Sequence, residues 1–352
     1  MNAEAGFAAL LLQRSAVGYG GAAASQLLER VPALRAQGGA MAEWKAHLTQ
    51  RAVELAAALS AAESRLFTER VLWSRKTFAA RNQDDQLIAL SLSCLREILA
   101  ESLPENGRRV AVDYLDQALA ALDGAAADIG PSELDPANDN DRLALRFLEA
   151  ALEGNSAEAI AGLKQAVAEG LDVREVYTSV LLPAQREIGR LWHADEVSVA
   201  EEHLVSATTR QAMAVLLHSA ERQPANGATL VAACVPGNIH DIGLLALTDL
   251  LQLAGWRTIY LGADVPIKDL PATVDFFQAD LVLLGSTLST QIEPAKKAIA
   301  ALREQCTRPV KIMVGGAAFD EVPDLWQTLG ADAYAPDATS ALHIADDFLR
   351  RE

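Results

Sequence analysis

The residues best suited to chemistry in this chain lie in one short turn, Gly237-Asn238-Ile239-His240-Asp241-Ile242-Gly243. It carries a carboxamide, an imidazole and a carboxylate. A neutral imidazole nitrogen is a good donor to a transition metal, and a neighbouring amide or carboxylate can fix which ring nitrogen is free. His240 by itself would read equally well as a hydrogen-bonded surface histidine. Two other segments raise its standing. Gly285-Ser286-Thr287-Leu288-Ser289-Thr290 is small and polar, and Gly315-Gly316-Ala317-Ala318 lacks bulk, leaving room for something large and flat.

All three segments follow short apolar runs. Ala228 to Val235 stops at Pro236-Gly237, and a helical pattern, GLLALTDLLQLAG, begins within the turn. A buried parallel strand, a tight turn and a helix read this way, and the strand's carboxyl end is the usual binding edge of an open α/β sheet. Strands are predicted at Thr229–Val235, Thr258–Leu261, Leu281–Gly285, Lys311–Val314 and Ala333–Tyr334. The helices between and after them are predicted at Ile242–Leu253, Ile267–Phe277, Ile292–Gln305, Glu321–Leu329 and Ser340–Arg350. This alternation predicts a doubly wound, flavodoxin-like sheet of five parallel strands. The first turn reads GNIHDIG rather than GxGxxG, which disfavours a dinucleotide.

The chain ahead of the sheet reads as helix. Residues 1–125 form an all-helical domain in which VGYGGAAAS should interrupt an opening helix. From Met41 to Asn82 one long helix or two in series is expected. Its aromatics (Trp44, Phe67, Trp73, Phe78, Tyr114) fit core or protomer contact, and His47 fits a surface or satisfied core position. The Asp-, Pro- and Asn-rich stretch 126–140 is the linker. Residues 141–220 form a four-helix bundle; Pro183 should kink one helix, and Ser198 with Glu201 makes a capping box for another. The sheet domain occupies 226–352.

Thirty basic residues against 47 acidic give a net charge of −17, which argues against direct DNA binding. Cys94, Cys234 and Cys306 are scattered and form no CxxC, against structural zinc and a disulfide framework. No apolar run is long enough for a membrane span and the first residues lack a secretory pattern, so a cytoplasmic location is expected.

The GNIHDIG turn, Ser286-Thr287-Leu288 and Gly315-Gly316 resemble the three signature segments of the cobalamin-binding domain of methionine synthase, corrinoid proteins and B12-dependent mutases. The resemblance spans about 141–350. It implies that His240 is the lower axial cobalt ligand. The cofactor's nucleotide tail would lie beside Ser286, Leu288, Gly315 and Gly316, with Asn238, Asp241 and Gly243 completing the site. Where the family usually has Asp, this chain has Asn238, and Ile292 stands where methionine synthase has the serine of a proton relay.

In the bundle, Trp192-His193 and Glu202-His203 resemble the W…EH pattern of light-sensing, adenosylcobalamin-dependent regulators. The resemblance implies that Trp192 covers the upper corrin face and that Glu202 and His203 contact the adenosyl group. It makes His193 the upper cobalt ligand after light. The MerR-type DNA-binding domain of those regulators has no counterpart here. The expectation is therefore a non-enzymatic adenosylcobalamin photoreceptor in signalling and transcriptional regulation. Its helical front domain would contact a protein partner or a second protomer. The alternatives are a corrinoid methyl carrier serving a methyltransferase and a cobalamin regulator insensitive to light; a mutase subunit would need a barrel, which is absent.

Overall fold

The computed structural model describes residues 3–350. The chain forms two compact units, one running to Asp128 and including Leu288–Glu293, the other comprising Ile129–Thr287 and the chain from Pro294 onward.

The first unit is helical: α1 (Ala3–Arg30), α2 (Pro32–Arg35), α3 (Ala40–Ala61), α4 (Arg65–Ala80), α5 (Gln86–Ser102) and α6 (Glu105–Leu122). The expected interruption at VGYGGAAAS does not occur; α1 runs straight through it. Gly20 is buried where α1 crosses α3, and a Cβ there would lie 2.5 Å from the Thr49 backbone nitrogen. Ala9, Leu12, Ala16, Ala23 and Leu27 continue that buried stripe. The glycine permits close helix contact, which offsets its low helix propensity of about 1 kcal/mol. The stretch from Met41 divides into two helices at Ala62, whose φ of 57° ends α3. Trp44 and Phe67 are buried core residues. His47 packs edge-on against Trp44 and Phe78, at 5.3 and 5.5 Å. Burial lowers its pKa to about 3, with the Arg51 charge adding to the effect, so the half-buried ring is neutral, and among the described residues its Nε2 has no hydrogen-bond partner, unlike the satisfied core position expected.

In the second unit the bundle comprises α7 (Asp139–Leu152), α8 (Ser156–Ala168), α9 (Val173–Val176), α10 (Leu182–His193) and α11 (Val199–Ser219). Pro183 produces a π-helical segment, Tyr177–Leu181, between α9 and α10. A wider turn accommodates the proline's missing N–H without ending the helix. The Ser198–Glu201 capping box opens α11 as expected.

The sheet region contains β1 (Thr229–Cys234), α12 (Ile242–Leu253), β2 (Arg257–Gly262), α13 (Leu270–Phe277), β3 (Leu281–Gly285), α14 (Ile292–Gln305), β4 (Lys311–Gly315), α15 (Ala317–Asp320), α16 (Leu325–Leu329), β5 (Ala333–Ala335) and α17 (Ala338–Arg350). The strands are parallel in the order β2-β1-β3-β4-β5, the flavodoxin-like arrangement. Two helix predictions change locally. A 3₁₀ turn precedes α13, and of the predicted Glu321–Leu329 helix only Leu325–Leu329 forms, with the turn at Pro323 ahead of it and α15 ending at Asp320.

The bundle and sheet share a core, in which Phe147, Tyr177, Ile188 and Leu216 join Ala246, Leu250 and Leu253 of α12. Within it the Tyr177 hydroxyl lies 2.8 Å from the Met213 carbonyl and 2.9 Å from Asp249 Oδ2. Among the described residues no helix is long and apolar enough to cross a membrane.

Candidate functional site

Cys234, Gly285 and Gly315, the last residues of β1, β3 and β4, align in register. The three chemistry-bearing loops therefore leave one edge at one level. Every residue of β1 is buried, which anchors the His240 turn to the rigid centre of the sheet.

The turn is held through its backbone. Gly237, at φ 80°, donates its N–H to Asp264 Oδ1 at 2.7 Å, and Asp264 donates its own N–H to the Asn238 carbonyl at 3.0 Å. Asn238 is fully buried. Its Nδ2 donates to the Gly285 carbonyl at 3.0 Å, and its Oδ1 accepts the His240 backbone N–H at 3.1 Å. The carboxamide thus spends both functions on the backbone rather than on the imidazole. His240 is exposed, and among the described residues its ring has no hydrogen-bond partner.

Asp241 is held from two other elements. Its Oδ2 accepts from the Tyr260 hydroxyl on β2 at 2.7 Å, and its Oδ1 lies 2.5 Å from Arg210 Nη1 on α11. Burial and the hydrogen bond to Asp241 push the Tyr260 phenol upward. Burial, aided by the Asp241 charge, pushes the Cys234 thiol up to about 12, so it stays protonated beside the turn.

The glycines of these loops differ in how closely other atoms approach them. A Cβ at Gly237 or Gly243 would meet nothing within 4 Å, so neither needs close backbone approach. Gly316 does: with φ at 101°, its Cβ would lie 2.4 Å from the Ser286 carbonyl. Gly316 thus allows the β3 and β4 loops to touch. Among the described residues the neighbouring Ser286 hydroxyl is buried without a hydrogen-bond partner. An unsatisfied buried hydroxyl and open space beside Gly243 at the head of α12 both fit a bound polar group at this edge. Leu288 stands before a 3₁₀ turn, where its N–H donates to Gln291 Oε1 at 3.0 Å. Ile292 is buried at the start of α14, with no polar atom to offer a relay.

In the bundle, Trp192 and His193 end α10 and are half-buried. Glu202 and His203 sit in the opening turns of α11. His203 Nδ1 lies 2.5 Å from Glu202 Oε2, and Ser206 donates to Glu202 Oε1 at 2.7 Å. Ser206 also reaches Gln185 of α10, which donates to Thr209, so this network ties α10 to α11. Arg210, Tyr260 and Asp264 escaped the sequence reading. Asp264 could have been found as a polar residue just past β2; nothing local marks Arg210 or Tyr260.

The B12 binding domain model matches residues 228–344, and a second B12 binding domain model matches residues 143–217. Dimethylamine corrinoid protein 3 of Methanosarcina mazei is 33% identical over 34% of this chain and 71% of its own length. This chain belongs to the B12-binding domain family. Its cofactor is a corrinoid. The HTH-type transcriptional repressor CarH of Myxococcus xanthus is 29% identical over 59% of this chain and 68% of its own length. The monomethylamine corrinoid protein of Methanosarcina barkeri shares the fold, with a TM-score of 0.51 at 23% identity over 58% of this chain and 98% of that one.

These relatives correct the expected photoreceptor, signalling and transcriptional-regulation role. Dimethylamine corrinoid proteins of three Methanosarcina species recur among them, at 26% to 34% identity, beside the repressor at 29%. The W…EH spacing that carried the light-sensing reading does not discriminate. Glu202 and His203 already serve the bundle's own hydrogen bonding.

Proposed function

We propose that this protein is a corrinoid methyl carrier serving a separate methyltransferase, and is not itself an enzyme. The observation that carries the reading is an exposed His240 on a backbone-fixed turn, in a chain whose relatives include dimethylamine corrinoid proteins. His240 would hold the corrinoid by ligating its cobalt. Ser286, with its unpartnered buried hydroxyl, and the contact at Gly316 would receive the nucleotide tail, with Leu288, Gly315 and Gly243 bordering it. When bound, the corrinoid supplies a cobalt centre that accepts and gives up a methyl group.

The protein's own residues do the rest. Asn238 orients the turn, because its two hydrogen bonds fix the backbone on the amino side of His240. Being neutral and already engaged, it neither charges the ring nor moves a proton. The bundle, through Trp192, His193, Glu202 and His203, would shelter the upper face and exclude water. A methyl group, rather than adenosyl, is the cargo we assign. The first unit would offer the methyltransferase a contact surface, since α1 leaves Phe7, Leu10 and Val17 exposed.

The test is reconstitution with methylcobalamin, adenosylcobalamin and hydroxocobalamin, the last then reduced chemically to the cobalt(II) state, using protein labelled with heavy-nitrogen histidine. Cobalt(II) resonance should show coupling to one labelled nitrogen, lost in His240→Ala, and methylcobalamin should bind at least as well as adenosylcobalamin. Unlabelled-nitrogen coupling in the native protein would remove the ligand assignment. Strong preference for adenosylcobalamin would remove the carrier reading.

A further inference from the structure

Asp241 sits at the N-cap position of α12 but does not cap it; no side-chain bond reaches the helix's first amides. An aspartate there ordinarily satisfies an N–H of its own helix. This one turns away, and two elements distant in sequence converge on it. Tyr260 of β2 donates to one carboxylate oxygen at 2.7 Å, and Arg210 of α11 approaches the other at 2.5 Å. The Asp241 side chain is 12% exposed against 40% for Arg210, so a bundle residue reaches in to meet a nearly buried carboxylate. Removing one partner of such a pair leaves a poorly solvated charge behind.

The chain position gives the trio its meaning. Asn238 fixes the backbone two residues before His240, and Asp241 is the residue after it. The amino side of His240 is secured within the sheet edge itself. Its carboxyl side is secured partly by α11, an element of the bundle that packs on α12 through the shared core.

We infer that Arg210, Asp241 and Tyr260 are positioning residues that lock the His240 turn to bundle helix α11. Presentation of the imidazole then depends on how that helix is seated. The inference rests on His240 ligating the corrinoid, as proposed above. Displacing α11 frees the Asp241 side chain on one face and loosens the turn from its carboxyl side. The Tyr260 bond remains and keeps the turn near its position. The trio does not touch cobalt; it determines how firmly the ring is offered.

The experiment compares native protein with Arg210→Met, Arg210→Lys and Tyr260→Phe, each carrying heavy-nitrogen histidine, loaded with hydroxocobalamin and reduced chemically to the cobalt(II) state. Two quantities are read: the share of cobalt(II) resonance coupled to labelled nitrogen, and the rate of cofactor release. Backbone amide exchange across 236–245 in cofactor-free protein is read alongside, and reports on the turn whether or not cofactor is retained. Arg210→Met should lose part of the labelled-nitrogen coupling, release cofactor about tenfold faster, the scale of one partly buried ion pair, and exchange faster in the turn. Arg210→Lys should restore most of each, and Tyr260→Phe should fall between. A purely structural role would change stability without altering axial coupling. Unchanged coupling, release and exchange in Arg210→Met would overturn the inference while leaving His240 ligation intact. If the native protein itself lacks labelled-nitrogen coupling, the ligand reading fails and this inference falls with it.

Discussion

Replacing Asp249 with Asn should stabilise the second unit at neutral pH and flatten its pH dependence. Asp249 lies on the face of α12 that the bundle covers, and is 6% exposed. Burial raises its pKa from 3.8 to about 6, with the Tyr177 hydrogen bond pulling in the other direction. Tyr177 has one hydroxyl proton and two acceptors within reach, the Met213 carbonyl and Asp249. A protonated Asp249 satisfies the group completely, because it can donate to the phenol oxygen while the phenol donates to Met213. An ionised one leaves the phenol proton contested between two acceptors.

The sign follows from proton binding. Between pH 4 and 6 the folded state holds a proton that the unfolded chain has released, so stability falls as pH rises through this window and levels above it. A shift from 3.8 to about 6, at about 1.4 kcal/mol per unit, makes this loss about 3 kcal/mol. Asn keeps the shape, carries no charge and retains a donor for the phenol oxygen. Thermal unfolding at pH 4 should differ little between native protein and Asp249→Asn. At pH 7.5 the variant should unfold about 6 °C higher, using about 2 °C per kcal/mol for a unit of this size. Parallel pH profiles for the two proteins, or a less stable variant at pH 7.5, would refute the reasoning.

Three further outcomes can be checked by unfolding and cofactor retention. Gly316→Ala should destabilise by at least about 2 kcal/mol and weaken corrinoid retention, since the new Cβ would meet the Ser286 carbonyl at 2.4 Å from a left-handed backbone. Gly20→Val should destabilise the helical unit by several kcal/mol by forcing α1 from Thr49; equal stability would mean that the two helices can separate freely. Asn238→Ala should cost about 2 kcal/mol, because the Gly285 carbonyl and the His240 N–H lose their partner together. Greater amide exchange in the turn should accompany that loss.

The sheet was legible because its strands are short, nearly all apolar and punctuated by glycine, a pattern that parallel burial imposes. The His240 turn was legible because the first strand delivers it to the binding edge. The helical unit was read less well. Gly20 carries no local sign that distinguishes a helix break from a helix crossing; Thr49 decides it. Arg210 and Tyr260 lie outside any motif, and their meeting at Asp241 exists only after the bundle has packed on α12. Trp192, Glu202 and His203 stand out in the sequence, but their spacing also suits a helix pair tied through Gln185, so it could not separate regulator from carrier.

The central claim is carriage of a methyl group, and the most direct measurement is turnover by a partner. The native protein, loaded with methylcobalamin, should be mixed in the dark with a corrinoid-dependent methyltransferase from the same genome and its methyl acceptor, while cobalt absorption and methylated product are followed together. The account predicts loss of the methyl-cobalt spectrum and stoichiometric product, with both much slower for His240→Ala. A spectrum that stays unchanged without product, for every such methyltransferase encoded in that genome, would contradict it.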